Sequence, residues 1–220
     1  MKFEEYRLSD ELKRNLEEMG FNRPTDIQFK CIPPIQRGED VLAIAQTGTG
    51  KTGAFAIPII DKIQHIKQKS RVQAVRSIVM VPTRELAVQI TEVFQKLGKG
   101  TKVRTISIYG GVEQEPQIEK LVSGVDIVVS TPGRMFDLVS QGYLKLDKIE
   151  VLILDEADQM LALGFYKDIT DLIRFLPNNR QTLFFSATID KNIKKLAYSL
   201  VRDAIRIHIS PKDPVSKNVH

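Results

Sequence analysis

The amino-acid sequence predicts an α/β protein: a mostly parallel central sheet with helices on both faces. Three observations carry that expectation. After Gly38, short apolar runs alternate with longer amphipathic stretches, the pattern of strands joined by crossover helices. Val151-Leu152-Ile153-Leu154 is a continuous apolar run, as suits a strand buried on both faces. It passes directly into Asp155, Glu156 and Asp158. Ala45 to Thr52 reads as a strand end, a glycine-rich turn and a helix start.

The elements follow in order. Leu12, Leu16 and Met19 recur at helical spacing, with Ser9 as the expected N-cap and Gly20 as the stop. A turn at Pro24 leads to a second helix capped by Thr25, whose end Pro33 and Pro34 limit or shape. Strands are expected at Val41–Ala45, Ser77–Val81, Val103–Ile108, Asp126–Ser130, Val151–Asp155, Gln181–Ser186 and Ile205–Ile209. Helices are expected from about Lys51, over Arg84–Leu97, near Gln114–Leu121, after Pro132, near Tyr166–Phe175 and over Lys191–Leu200. The stretch from Lys62 to Arg76 is polar and basic, a solvated helix end and loop.

Composition narrows the function classes. The 220 residues suffice for one large α/β domain or two small ones, and 42% hydrophobic residues can bury a core. A net charge of +5 permits a nucleic-acid partner without demonstrating one. The single cysteine, Cys31, excludes an internal disulfide and a cysteine-based zinc site, and a small buried side chain is expected there. His65, His208 and His220 have no ligand spacing. The amino terminus lacks a signal-peptide core, and no apolar run reaches the ~18 residues of a membrane helix. A soluble, cytoplasmic protein is expected.

The chemistry concentrates where strands end. In Gln46-Thr47-Gly48-Thr49-Gly50-Lys51-Thr52, glycines let successive N–H groups turn inward around phosphate oxygens, and the helix start adds partial positive charge. Lys51 can reach the terminal phosphates, and the Thr52 hydroxyl can ligate Mg²⁺. A plain glycine-rich turn is the structural alternative. Mg²⁺ prefers hard oxygens, so Asp155 can hold the ion opposite Thr52, directly or through water. Glu156 can orient or polarise an attacking water.

These residues resemble those of the DEAD-box RNA helicases of superfamily 2, and the likeness covers that family's amino-terminal RecA-like lobe over almost the whole chain. Asp155-Glu156-Ala157-Asp158 is the motif that names the family. Gly20 to Gln28 is similar to its Q motif, with Phe3 as the upstream aromatic. Pro82-Thr83-Arg84-Glu85-Leu86-Ala87, Gly110-Gly111 and Thr131-Pro132-Gly133-Arg134 also match, as does Ser186-Ala187-Thr188. The resemblance implies a three-layer RecA-like P-loop NTPase domain that binds ATP with Mg²⁺. Lys51, Asp155 and Glu156 would be catalytic. Gln28 would read the adenine edge, Phe21 would stack on the base, and Phe3 and Thr25 would complete that site. Pro82, Thr83, Arg84, Gly110, Gly111, Thr131, Pro132, Gly133 and Arg134 would hold an RNA backbone largely without regard to sequence. Asp158 with Ser186 and Thr188 would couple the two sites.

Each assignment has a structural counterpart. Phe21 and Gln28 can form a capping turn, Thr83 and Thr131 can be N-caps, and Pro132 can open a helix. Ser186 and Thr188 can belong to the cap of the helix from Asp190, and Glu85 can steady Arg84 or favour its helix start. The expected organisation is a Q-motif region over 1–38, the ATP-binding lobe over 39–210 and an interlobe linker or tail over 211–220. A second RecA-like lobe of the same parent protein is expected as a partner, with the isolated lobe monomeric, able to bind nucleotide and nearly inactive. A nucleotide-gated RNA clamp with little turnover and a DNA-directed helicase remain as alternatives.

Overall fold

In the computed structural model, residues 1–211 are described, so the expected linker lies outside them beyond Pro211. Seven strands form one fully parallel sheet: β1 (Val41–Ile44), β2 (Ser77–Met80), β3 (Thr105–Ile108), β4 (Ile127–Ser130), β5 (Val151–Leu154), β6 (Gln181–Ser186) and β7 (Ile205–His208). Their order is β3-β4-β2-β5-β6-β1-β7. The register brings their carboxyl ends together: Ile44 lies opposite Ser186 and His208, and Met80 opposite Ser130 and Leu154. Every loop that leaves a strand therefore emerges on one edge, where open α/β sheets bind ligands.

Side-chain alternation divides the core in two. Ala43, Val79, Ile153 and Phe185 face one layer, made of α1 (Asp10–Glu18), α2 (Asp26–Gln36), α3 (Lys51–Lys69) and α4 (Arg84–Leu97). Leu42, Met80, Leu152 and Phe184 face the other, made of α5 (Glu115–Val122), α6 (Pro132–Ser140), α7 (Ala157–Ala162), α8 (Tyr166–Ile173) and α9 (Lys191–Leu200). The central strands are apolar on both faces because both faces are covered. The amino-terminal segment packs into the first layer through Leu12, Leu16, Ile27 and Ile32. Asn15 of α1 donates to the carbonyls of Leu97 and Lys99 at 2.7 Å, which ties α1 to the end of α4.

Local details refine the sequence reading. Ser9 occupies the N-cap position, but its hydroxyl makes no cap bond; its backbone N–H instead donates to Asp61 Oδ1 at 2.8 Å. Pro33 and Pro34 sit inside the last turn of α2, and the helix ends two residues later at Gln36. Cys31 is fully buried, and burial pushes its thiol up to about 12, which removes thiolate reactivity.

Candidate nucleotide and RNA site

The turn between β1 and α3 has the backbone the sequence pattern calls for. Gly48 and Gly50 adopt φ values of +82° and +95°, where a side chain would strain the chain. Gly50 has a second reason: a Cβ there would lie 2.7 Å from Thr25 Oγ1 and 2.9 Å from Gln28 Nε2. The turn that opens α2 thus presses directly on the phosphate loop. Thr25 and Gln28 close a capping box, in which the Thr25 N–H donates to Gln28 Oε1 at 3.0 Å. Gln28 Nε2 then donates to the Gly50 carbonyl at 3.1 Å. Gln28 is only 2% exposed. Its amide is engaged at both ends, and reading a base edge requires it to exchange those bonds.

Beside this contact, Pro24, Thr25, Asp26 and Ile27 face Gln46, Thr47, Gly48 and Thr49 across a cleft of about 490 Å³. Phe3 and Phe21 do not line it. Their rings meet edge-on at 6.5 Å, Phe3 also packs on Tyr6, and both line a separate cleft of about 310 Å³. The structure thus makes Phe3 a buried support for Phe21.

The charged centre is dry. Lys51 and Asp155 are 6% and 3% exposed, and Nζ lies 3.5 Å from Oδ1. That ion-pair contact leaves the ammonium without a hydrogen-bond partner. A buried cation with unmet donors is costly, and the phosphate-loop nest beside it is suited to an anion. Burial pushes the Asp155 carboxyl above its ordinary value, and Lys51 partly opposes the shift. Among the described residues no cluster of three or more His, Cys, Asp or Glu could hold a metal unaided. One carboxylate, the Thr52 hydroxyl and phosphate oxygens nevertheless match the usual donor set of Mg²⁺. The residues therefore fit both groups.

Glu156 is one of two described non-glycine residues with positive φ, here +52°. It sits in that strained conformation between β5 and α7. Burial first, and then the Asp155 charge, push its carboxyl upward. An upward shift of this kind suits a group that handles the proton of a water.

Asp158 Oδ2 accepts a hydrogen bond from Thr188 Oγ1 at 3.1 Å, joining the first turn of α7 to the loop after β6. Asp190 caps α9 through Ile193, so Thr188 is not needed as the cap. Ser186 does not join this link: its hydroxyl is buried and has no partner. Of the two coupling hydroxyls expected, the structure brings only Thr188 to Asp158.

The remaining motif residues lie along the same edge. Thr83 Oγ1 caps α4 by accepting from the Leu86 N–H at 3.2 Å, next to Pro82. Thr131 makes no side-chain cap, and Pro132 is the first residue of α6, followed by Gly133. Arg84 forms no ion pair with Glu85; its guanidinium lies 5.0 Å over the Tyr109 ring. Tyr109 is itself clamped by Gln117 of α5, which accepts from its N–H at 3.2 Å and donates to its carbonyl at 3.0 Å. Gly110 and Gly111 follow in an exposed loop, and Arg134 Nη2 donates to the next carbonyl, that of Val112, at 2.8 Å. Tyr109 and Gln117 were missed by the sequence reading. The only signal was a Gln eight residues after a Tyr that directly follows β3.

The sheet and its carboxyl edge define a RecA-like P-loop domain. Residues 25–196 match the family model described as DEAD/DEAH box helicase, and the chain belongs to that family. It is 41% identical over 217 residues to the DEAD-box ATP-dependent RNA helicase CshA of Geobacillus kaustophilus, covering 99% of this chain and 45% of that protein. It is 45% identical over 213 residues to the CshA of Streptococcus pneumoniae, covering 97% of this chain and 40% of that protein. A solved DEAD box protein from the hyperthermophile Methanococcus jannaschii superposes with a TM-score of 0.86 at 37% identity, covering 94% of this chain and 56% of that one. The chain therefore spans less than half the length of these two curated relatives.

Proposed function

We propose that this chain is the ATP-binding lobe of an ATP-dependent RNA helicase, which couples nucleotide binding and hydrolysis to RNA binding and local unwinding. The first 38 residues brace the base side of the site, and residues 39–210 form the catalytic lobe. RNA and a second RecA-like lobe are its partners, and the lobe alone is a cytoplasmic monomer that binds nucleotide but does not unwind. The observation that carries the reading is the buried Lys51 ammonium, left without a hydrogen-bond partner beside Asp155 at the phosphate loop.

Roles follow from the residues present. Gln46 to Thr52 hold the phosphates, with Lys51 as their cationic partner. Thr52 and Asp155 would hold Mg²⁺, which when bound supplies positive charge to the phosphate oxygens. Glu156 takes up the proton of the water it orients. Asp158 and Thr188 pass the state of this site to the RNA side, where Pro82 to Arg84, Gly110, Gly111 and Thr131 to Arg134 contact the backbone. Neither Arg84 nor Arg134 is in any ion pair among the described residues, so no carboxylate competes with phosphate for them.

The test has two parts. A fluorescent ADP should bind the 220-residue chain, and hydrolysis by the protein carrying both lobes should rise on adding single-stranded RNA. Failure of ADP to bind would overturn the nucleotide site. Binding with no stimulation by RNA would favour a nucleotide-gated clamp.

A further inference from the structure

The basic stretch from Lys62 to Arg76 has no part in the site above, yet the structure gives its first turns a setting. The second half of α3 and the carboxyl end of α2 enclose a cleft of about 660 Å³. It lies roughly 15 Å along α3 from the phosphate loop, at ~1.5 Å of rise per residue. Arg7, Arg37, Lys62, His65 and Lys69 surround it, and Pro33, Pro58 and Ile66 supply its apolar part.

Charge in this cleft is unbalanced. Arg37 is paired with Glu39 at 2.6 Å, but Arg7, Lys62 and Lys69 have no ion-pair partner among the described residues. The one acid that lines it, Asp61, already accepts the Ser9 N–H and lies 3.6 Å from His65. Lys62 is half-buried, and its one hydrogen bond is a long 3.4 Å contact to the neutral Gln181 Oε1. Holding that ammonium partly out of water costs energy; the Glu150 charge offsets part of it, and an anion in the cleft would offset more.

We propose that this cleft binds an acidic peptide segment of a partner protein, in which Asp or Glu side chains flank an apolar one. The carboxylates meet Arg7, Lys62 and Lys69, and the apolar side chain covers Pro33, Pro58 and Ile66. Electrostatic complementarity of this kind sets partner choice and association rate. A nucleic acid is disfavoured because the one aromatic ring that lines the cleft is the His65 imidazole, whereas single strands combine backbone charge with stacking of successive bases on several rings. The cleft does not depend on the nucleotide reading, since none of its residues belongs to that site.

The probe is a short fluorescein-labelled peptide of glutamates with leucine at every fourth position, added to the 220-residue chain. Polarisation should rise on binding and fall as salt is added. The Arg7→Glu, Lys69→Glu double variant should weaken binding about tenfold or more. Ile66→Ser should also weaken it, while both variants keep their fluorescent-ADP binding, which shows that they are folded. Equal peptide binding by parent and double variant would overturn the proposal. So would displacement of the peptide by inorganic phosphate alone, or tighter binding of an oligo-uridylate that the charge reversals abolish.

Discussion

The two halves of the sheet's carboxyl edge are built from the same unit, a strand that ends in a polar turn and opens a helix, yet they are finished in opposite ways. On the nucleotide half, Lys51, Asp155, Gln28 and Ser186 are all buried, and both the Lys51 ammonium and the Ser186 hydroxyl lack a partner. On the half proposed to meet RNA, Arg84, Gly110 and Gly111 are exposed. The groups that position them are already satisfied within the protein: Thr83 caps α4, Gln117 clamps Tyr109 and Arg134 reaches Val112. A dry half with unmet charge demands one kind of ligand and magnifies each contact. A more exposed half, whose hydroxyls and loop carbonyls are bonded internally and whose one orphaned buried donor is Arg134 Nη1, offers many small contacts, which suits a repeating backbone. Single substitutions should therefore act sharply on the first half and gradually on the second.

The largest effect belongs to Glu156. Glu156→Gln in the protein carrying both lobes should leave ATP binding intact and slow single-turnover hydrolysis by about 100-fold or more. An unchanged rate would remove its role with water. The same substitution has a stability signature. Folding raises the Glu156 pKa from its ordinary 4.5, so this group's favourable contribution is present below that pH and is lost as pH rises through the raised value. Glu156→Gln should therefore raise Tm at neutral pH and do so less in acid. Glu156→Gly, which also relieves the left-handed backbone, should add about 1 kcal/mol of stability while abolishing hydrolysis. A loss of stability would show that the +52° conformation is not strained.

Next in size is Lys51→Ala. Removing a charge-assisted partner worth ~1.5–3 kcal/mol should weaken ADP binding by about 10- to 100-fold, measured by titration of the fluorescent nucleotide. Equal affinity in both proteins would contradict the phosphate-loop assignment and erase the contrast between the halves. Thr188→Val tests the bond between them. It should leave ADP affinity unchanged but reduce the stimulation of hydrolysis by RNA about fivefold, the scale of a ~1 kcal/mol coupling. Unchanged stimulation would mean that Asp158 communicates by another route.

The halves also differed in how far the sequence disclosed them. The fold was legible because strand alternation, helical spacing and glycine-rich turns are local signals, and Val151–Leu154 marked its own double burial. The proposed nucleotide half draws on the same kind of local signal: Gly48 to Thr52 and Asp155-Glu156 are contiguous runs whose chemistry is set by their neighbours. What was missed depends on approach in space. Gln28 uses its amide on Gly50, across 22 residues, and only the meeting of α2 with the phosphate loop creates that bond. Arg84 turns to Tyr109 rather than to its neighbour Glu85, because the end of β3 delivers a ring beside α4. Ser186 lies in a strand residue's buried position, where its hydroxyl cannot follow Thr188 to Asp158.

The smallest effect tests the RNA half where it is least obvious. Arg84 is exposed and could take many rotamers, but the Tyr109 ring, 5.0 Å away, restricts its guanidinium while leaving the charge free. Gln117 in turn fixes Tyr109 by its backbone, so ring and loop are held together. Arg84→Ala should reduce the slope of log affinity against log salt for single-stranded RNA by about 1, the loss of one phosphate contact. Tyr109→Ala keeps the charge and should leave that slope nearly unchanged, while lowering RNA affinity about two- to fivefold through the ~0.5–1 kcal/mol of an exposed cation–π contact. Tyr109→Phe should restore binding. If Tyr109→Ala instead lowers the slope as Arg84→Ala does, the ring is needed to bring the arginine to the phosphate at all. The RNA half would then depend on a single arrangement as strongly as the nucleotide half does.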